Sequence, residues 1–294
     1  MNKGIAAGVG AYTLWGFFPI FFHALRFISP FQVTAHRIVW SFMFLILVVA
    51  VRGEFRLLKS AISRRILLMY LAAGVLLSVN WLAFVWGVGA GYVVETSLGY
   101  FINPLVSVVL GVVFLHEKLR PAQWVPVIMA TAGVAYLAIS HGSLPWLALV
   151  LAFTFGLYGL MKKIAPLGSL HGLTLETGTI FGAALAFLVF EQVIGAGSFV
   201  QAGLLPTLLL ALVGVVTAIP LLLFATGAKS VPLSTLGLLQ YISPTIQFLI
   251  GVFLFGEPFA PEQVVGFGII WAALLIFSAE SWLARRRSIL ASAA

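Results

Sequence analysis

Leu98-Gly99-Tyr100-Phe101-Ile102-Asn103-Pro104 and Leu238-Leu239-Gln240-Tyr241-Ile242-Ser243-Pro244 are two copies of one passage set 140 positions apart. With that offset, residues 74–125 lie over 214–265 without a gap. Gly74, Val75, Leu82, Phe84 and Gly87 fall on Gly214, Val215, Leu222, Phe224 and Gly227. Gly111, Val112, Glu117, Pro121, Gln123 and Val125 fall on Gly251, Val252, Glu257, Pro261, Gln263 and Val265. Apolar stretches match by chance, so the paired Pro, Gly, Glu and Gln carry the weight. The repeat divides the chain into 1–142 and 143–294. Each copy has an odd number of apolar spans, so the second is expected to enter the membrane inverted. Inverted repeats are the hallmark of proteins that expose one site alternately to two sides.

The composition demands a lipid environment. Hydrophobic residues make up 62 % of the chain and charged residues 8 %, far from a soluble domain. About 20 apolar residues cross a hydrocarbon layer of roughly 30 Å as a helix. Ten such spans are expected, at 4–22, 32–51, 66–87, 93–115, 122–140, 144–161, 170–190, 204–224, 232–255 and 262–282. The fold class is therefore an all-α polytopic membrane protein of two inverted five-helix repeats. The first span loosely resembles a signal peptide but has no clear cleavage site, and the repeat requires it, so it is read as a retained helix.

Charge sets the expected orientation. With the N-terminus in the cytoplasm, Lys3, Arg52, Arg56, Lys59, Arg64, Arg65, Lys118, Arg120, Lys162, Lys163, Lys229 and Arg285 to Arg287 all fall inside. Only Arg26 and Arg37 fall on the outer half. This is the positive-inside pattern, with both termini cytoplasmic. The net charge of +8 thus reflects topology and a basic tail at anionic headgroups. Three arginines are too few for a nucleic-acid surface.

The chain contains neither cysteine nor aspartate, which removes disulfides, thiolate metal sites and aspartyl chemistry. The five histidines, at 23, 36, 116, 141 and 171, lack ligand spacing, and no hydrolase or phosphate-binding motif occurs. No enzyme, metal or cofactor is expected. Without an ATP-binding domain or any sign of an ATPase subunit, transport would be gradient-driven or passive.

Candidate site residues follow from what is costly in lipid. Pro104 and Pro244 cannot donate to the carbonyls of Tyr100 and Gln240, so both helices are expected to kink near mid-membrane. Tyr100, Asn103, Gln240, Tyr241 and Gln247 cluster about those kinks. They either line a cavity at the repeat interface or bond neighbouring helices. His36-Arg37 lies near the outer end of the second span, where arginine either pairs with a substrate carboxylate or snorkels to headgroups. Glu176, the repeat counterpart of His36, is a proton-coupling candidate or an interfacial carboxylate close to Lys162 and Lys163. Trp15, Trp81, Trp86, Tyr92, Tyr158 and Tyr241 form a ligand-binding aromatic box or are belt and packing residues. Asn80, in the third span, is costly to face to lipid, so it lines a cavity or bonds a neighbour. Gly4-x-x-x-Gly8, Gly87-x-x-x-Gly91 and Gly178-x-x-x-Gly182 read as close helix contacts.

The stretches Ser97 to Pro104 and Pro232 to Tyr241, with the opening Ala11-Tyr12-Thr13-Leu14-Trp15-Gly16-Phe17-Phe18-Pro19, resemble the drug/metabolite transporter superfamily of the EamA type, in its RarD branch. The resemblance runs essentially end to end. It implies a bacterial inner-membrane permease whose helices enclose a central cavity, with YddG-like amino-acid exporters as relatives. It carries no coupling residue to this chain. A secondary transporter, an exporter of small amphipathic metabolites such as aromatic amino acids or drugs, is the expected function. A channel-like pore or a lipid scramblase is the alternative.

Overall fold

A computed structural model describes residues 3–89, 93–140, 146–256 and 261–293. Among these, all regular structure is helical: α1 (Lys3–Gly16), α2 (Phe18–His23), α3 (Pro30–Val51), α4 (Phe55–Ser60), α5 (Arg64–Gly89), α6 (Val93–Phe114), α7 (Pro121–Ser140), α8 (Trp146–Ile164), α9 (Ser169–Val193), α10 (Leu204–Ser230), α11 (Leu233–Leu239), α12 (Ile242–Phe253) and α13 (Pro261–Ala293). Eight stretches are long and apolar enough to cross a bilayer, and Leu98–Phe114 and Val264–Glu280 are shorter apolar helices. The ten positions coincide with the ten expected spans. α1 and α2 form the first span, and α11 and α12 the ninth. α4 is extra, a short helix with Leu58 buried and Arg56 and Lys59 exposed. The division expected at 142/143, and Tyr92, lie outside the described residues.

Local chemistry explains the ends. Pro30, Pro121 and Pro261 each open a helix, where a missing N–H costs nothing. α13 outruns its apolar stretch because Ala, Leu and Arg continue a helix readily in water. Within the spans, Thr34, Ser78, Thr131, Thr154 and Thr245 donate their hydroxyl protons to the carbonyl four residues back, which satisfies a polar group inside an apolar element.

The two prolines sit in different local structure. α6 remains helical through Pro104. The ninth span is interrupted at Gln240 and Tyr241, just before Pro244. There the Gln240 N–H donates to the Gly237 carbonyl at 3.0 Å, and the Ser243 N–H donates to the Gln240 carbonyl at 3.0 Å. The carbonyl that Pro244 cannot serve is thus satisfied one residue earlier, by a tightened turn.

Packing follows the repeat offset. A Cβ on Gly16 would stand 2.7 Å from Ile246 Cβ, and one on Gly156 would stand 2.6 Å from Val106 Cγ1. Exchanging the 140-residue offset turns the first contact into the second. Gly74 against Ile180 becomes Gly214 against Trp40 in the same way. Trp15 with Phe155, at 5.8 Å between ring centroids, and Phe101 with Tyr241, at 6.4 Å, map onto themselves. Helix pairings obey the same rule: α1–α10 corresponds to α5–α8, α6–α8 to α1–α12, and α3–α10 to α5–α9.

Glu117 makes a polar tie between the halves. The Glu117 carboxylate accepts from the Leu233 N–H at 2.5 Å, the Ser234 N–H at 2.9 Å and the Ser234 hydroxyl at 2.6 Å. A side chain after α6 thereby caps the otherwise unpaired first N–H groups of α11. A Cβ on Gly111 would come within 2.6 Å of that carboxylate, so glycine is required there for close approach.

Candidate functional site

Four spans, α3, α5, α9 and α10, surround a cavity of about 30 Å³. This set is closed under the repeat exchange. Three lining pairs are repeat counterparts: Arg37 with Thr177, Leu77 with Thr217, and Trp81 with Leu221. Thr34, Ile38, Ser41, Ser78, Glu176 and Ile180 complete the wall.

Helical spacing places these side chains. Thr34, Arg37, Ile38 and Ser41 form one stripe along α3, and Leu77, Ser78 and Trp81 one along α5. Arg37 begins about 10 Å along α3 from Pro30, at 1.5 Å per residue. It is 4 % exposed. Its guanidinium carbon lies 3.1 Å from the Trp81 ring centroid, a cation–π contact on one face. Its two terminal nitrogens are buried and have no hydrogen-bond partner among the described residues. The phenols of Tyr100 and Tyr158 are close enough to feel its charge. Arginine stays protonated even in such surroundings, so this is a buried cation with unused donors.

Glu176 stands across the same cavity, 1 % exposed. Its Oε2 accepts from Lys162 Nζ at 2.5 Å, and Lys162 is itself 3 % exposed. Oε1 has no hydrogen-bond partner among the described residues. Lys162 also lies 5.5 Å from the Tyr158 ring centroid and 5.8 Å from that of Tyr70. Of the lining hydroxyls, Thr34, Ser41, Ser78 and Thr177 already donate to backbone carbonyls. Thr217 Oγ1 is buried and without a partner.

The remaining candidates take other places. His36 does not line the cavity, and its ring lies 5.0 Å from that of Phe199. Asn80 donates to the Leu151 carbonyl at 2.8 Å and to Thr154 at 3.0 Å, which joins α5 to α8. Trp15 packs with Tyr12, Phe155 and Phe224, and Tyr158 stacks on Phe224 at 5.8 Å. Gln247 donates to the Trp15 carbonyl at 3.1 Å, the group that Pro19 leaves without an N–H partner. Tyr241 donates to the Phe101 carbonyl at 3.1 Å, and Tyr100 lies edge-on to Phe84. Trp86, 45 % exposed, lies 5.7 Å from Trp146, where an amphipathic ring suits a membrane interface. Asn103 and Gln240 are buried, each with an amide oxygen lacking a partner among the described residues, and neither lines this cavity.

Lys162 was not among the sequence candidates. Its place near the end of a span suggests an interfacial cation, whereas the structure buries it against Glu176. The sequence already places Glu176 close to Lys162; what it does not show is that the pair is buried rather than interfacial. Thr34, Ser41, Ser78 and Thr217 were also missed; the usable signal was a polar stripe at helical spacing through Arg37 and its neighbours.

Comparison with known proteins adds the family. The model of the EamA-like transporter family matches twice, over residues 2–139 and 143–279. The chain is 45 % identical over 281 residues to the uncharacterized transporter YojE of Bacillus subtilis, covering 94 % of each chain. It is 44 % identical to protein RarD of Streptomyces exfoliatus, covering 98 % of this chain and 91 % of the relative. Protein RarD of Escherichia coli is 37 % identical, covering 98 % and 97 %. One solved crystal structure superposes with a TM-score of 0.70 at 17 % identity, covering 94 % of this chain and 97 % of that one, which speaks to the fold alone. With its helical spans and two family matches that together cover nearly its whole length, the chain belongs to the EamA-like transporter family.

Proposed function

We propose that this membrane transporter is a secondary permease that exports small amphipathic metabolites, amino acids and drug-like compounds among them, across the bacterial inner membrane by alternating access. The observation that carries the reading is the buried Arg37, without a hydrogen-bond partner among the described residues, facing a small cavity shared by counterpart spans of the two halves. A buried cation without a partner is expensive, and a substrate group that pairs with it is the economical explanation. The cavity of about 30 Å³ has room for a few waters at most. A metabolite therefore enters only when the surrounding spans part.

The contact symmetry supplies the means. Five spans per half place the second half inverted, and rocking one half against the other then exchanges inward and outward openings. Under this reading Asn103 and Gln240, with their unpaired amide oxygens, join the site as α6 and the ninth span separate. The charge pattern puts both termini in the cytoplasm, which reporter fusions at Ala294 test directly: a periplasmic signal overturns the orientation. Purified protein in proteoliposomes should show saturable counterflow of a labelled amphipathic metabolite when unlabelled compound is trapped inside. Flux that never saturates and shows no counterflow indicates a pore. Lipid exchange between leaflets without solute flux indicates a scramblase.

A further inference from the structure

We infer that the cavity selects a small amphipathic monoanion, a carboxylate with an apolar body, over the matching zwitterion or cation; this rests on the transport reading above and, within it, ranks free amino acids below carboxylates that lack the ammonium. The argument is a sum of fixed charges. Among the described residues the lining holds two charged side chains, Arg37 and Glu176. Glu176 is already matched by Lys162 at 2.5 Å, with both partners almost wholly buried. That pair sums to zero wherever its proton resides, because a proton passed from Lys162 to Glu176 leaves the total unchanged. Arg37 then stands as one uncompensated positive charge, with Trp81 on one face and two unpartnered nitrogens.

A monoanion brings the buried total to zero. A zwitterion satisfies Arg37 but places its ammonium where Glu176 already serves Lys162, so the total stays at one positive charge. A cation raises it to two. In a poorly screened interior such excesses are costly. The rest of the wall suits the same ligand. Ile38, Leu77, Ile180 and Leu221 offer an apolar surface, and the Thr217 hydroxyl is free to donate to a second carboxylate oxygen.

The test uses three ligands of one shape on the full-length purified protein: hydrocinnamate, phenylalanine and phenethylamine, with binding followed by thermal shift and confirmed by counterflow. Hydrocinnamate is expected to bind roughly 10- to 100-fold more tightly than phenylalanine, the scale of one charge-assisted hydrogen bond, and phenethylamine not at all. Arg37→Gln should abolish hydrocinnamate binding. Lys162→Met leaves Glu176 unmatched and should reverse the preference toward phenylalanine. The double variant Lys162→Met/Glu176→Gln removes the pair as a unit, so it should keep the preference for hydrocinnamate. It also preserves the test if the single variant fails to assemble. Wild-type protein that binds phenylalanine most tightly, or a double variant with reversed preference, overturns the monoanion assignment and leaves the transport reading intact. Wild-type protein that binds none of the three and shows no counterflow overturns the cavity as the transport site, and the assignment with it.

Discussion

Tyr241 donates its hydroxyl proton to the carbonyl of Phe101 at 3.1 Å, and the two residues are repeat counterparts 140 positions apart. A contact between counterparts is one that the exchange of halves maps onto itself. Trp15 with Phe155 is another. Around them, Gly16 on Ile246 and Gly156 on Val106 form a pair of equivalent contacts. The symmetry read in the sequence as matched residues is thus present as matched packing.

That equivalence predicts parallel behaviour of two distant sites. Gly156→Leu forces a side chain into Val106, and Gly16→Leu forces one into Ile246. Each should lower stability by about 1–3 kcal/mol, the usual cost of overpacking. Val106→Ala should recover part of the first loss and Ile246→Ala part of the second. Double-mutant cycles from thermal unfolding in detergent would show coupling of the same sign at both sites. Additive effects at either site contradict the close contact.

Arg37 should trade stability for function. Arg37→Gln removes a buried charge without a hydrogen-bond partner, so unfolding should become less favourable by about 1–3 kcal/mol while transport falls at least about tenfold. Arg37→Lys keeps the charge but loses the planar stack on Trp81 and the forked donors, so its transport should lie between the two. A variant that is both less stable and fully active would mean that Arg37 serves packing.

Much of this was legible in the chain. Ten apolar stretches announce ten spans because lipid permits little else, and the matched Pro, Gly and Glu expose the repeat. The position of the cavity was less legible. Pro104 and Pro244 draw attention to α6 and the ninth span, yet the Ser243 N–H relieves the freed Gln240 carbonyl and α6 stays helical through Pro104. A small cavity lies among α3, α5, α9 and α10. Arg37, Trp81 and Glu176 were visible as costly or aromatic residues, but not their meeting, which depends on how three helices rotate about their axes. Lys162 was hidden because a lysine near the end of a span looks the same whether it snorkels or turns inward. Gln247 illustrates the converse: a polar residue in lipid that serves a backbone carbonyl beside Pro19.

The cap that Glu117 places on α11 should be measurable apart from transport. Glu117→Ala removes three hydrogen bonds to Leu233 and Ser234. Charged caps of this kind contribute about 1–2 kcal/mol, and Glu117→Gln should retain part of it. Gly111→Ala, which crowds the carboxylate, should mimic the loss. Hydrogen exchange at the amides of Leu233 and Ser234 reads the effect directly. Unchanged protection there in Glu117→Ala contradicts the cap.

Asn103 and Gln240 separate a role in the open site from a role in packing. Both are buried, both carry an amide oxygen without a partner among the described residues, and neither lines the cavity beside Arg37. An unpartnered buried polar atom costs about 1–3 kcal/mol, so the apolar replacements Asn103→Leu and Gln240→Met should leave stability unchanged or slightly higher. If these amides meet substrate when α6 and the ninth span part, the same replacements should depress transport severalfold, and the effect should appear in the half-saturating substrate concentration. Thermal unfolding and counterflow on the same preparations check both halves of the statement. Lower stability with unaltered counterflow would assign both amides to helix packing and confine the site to the four spans around Arg37.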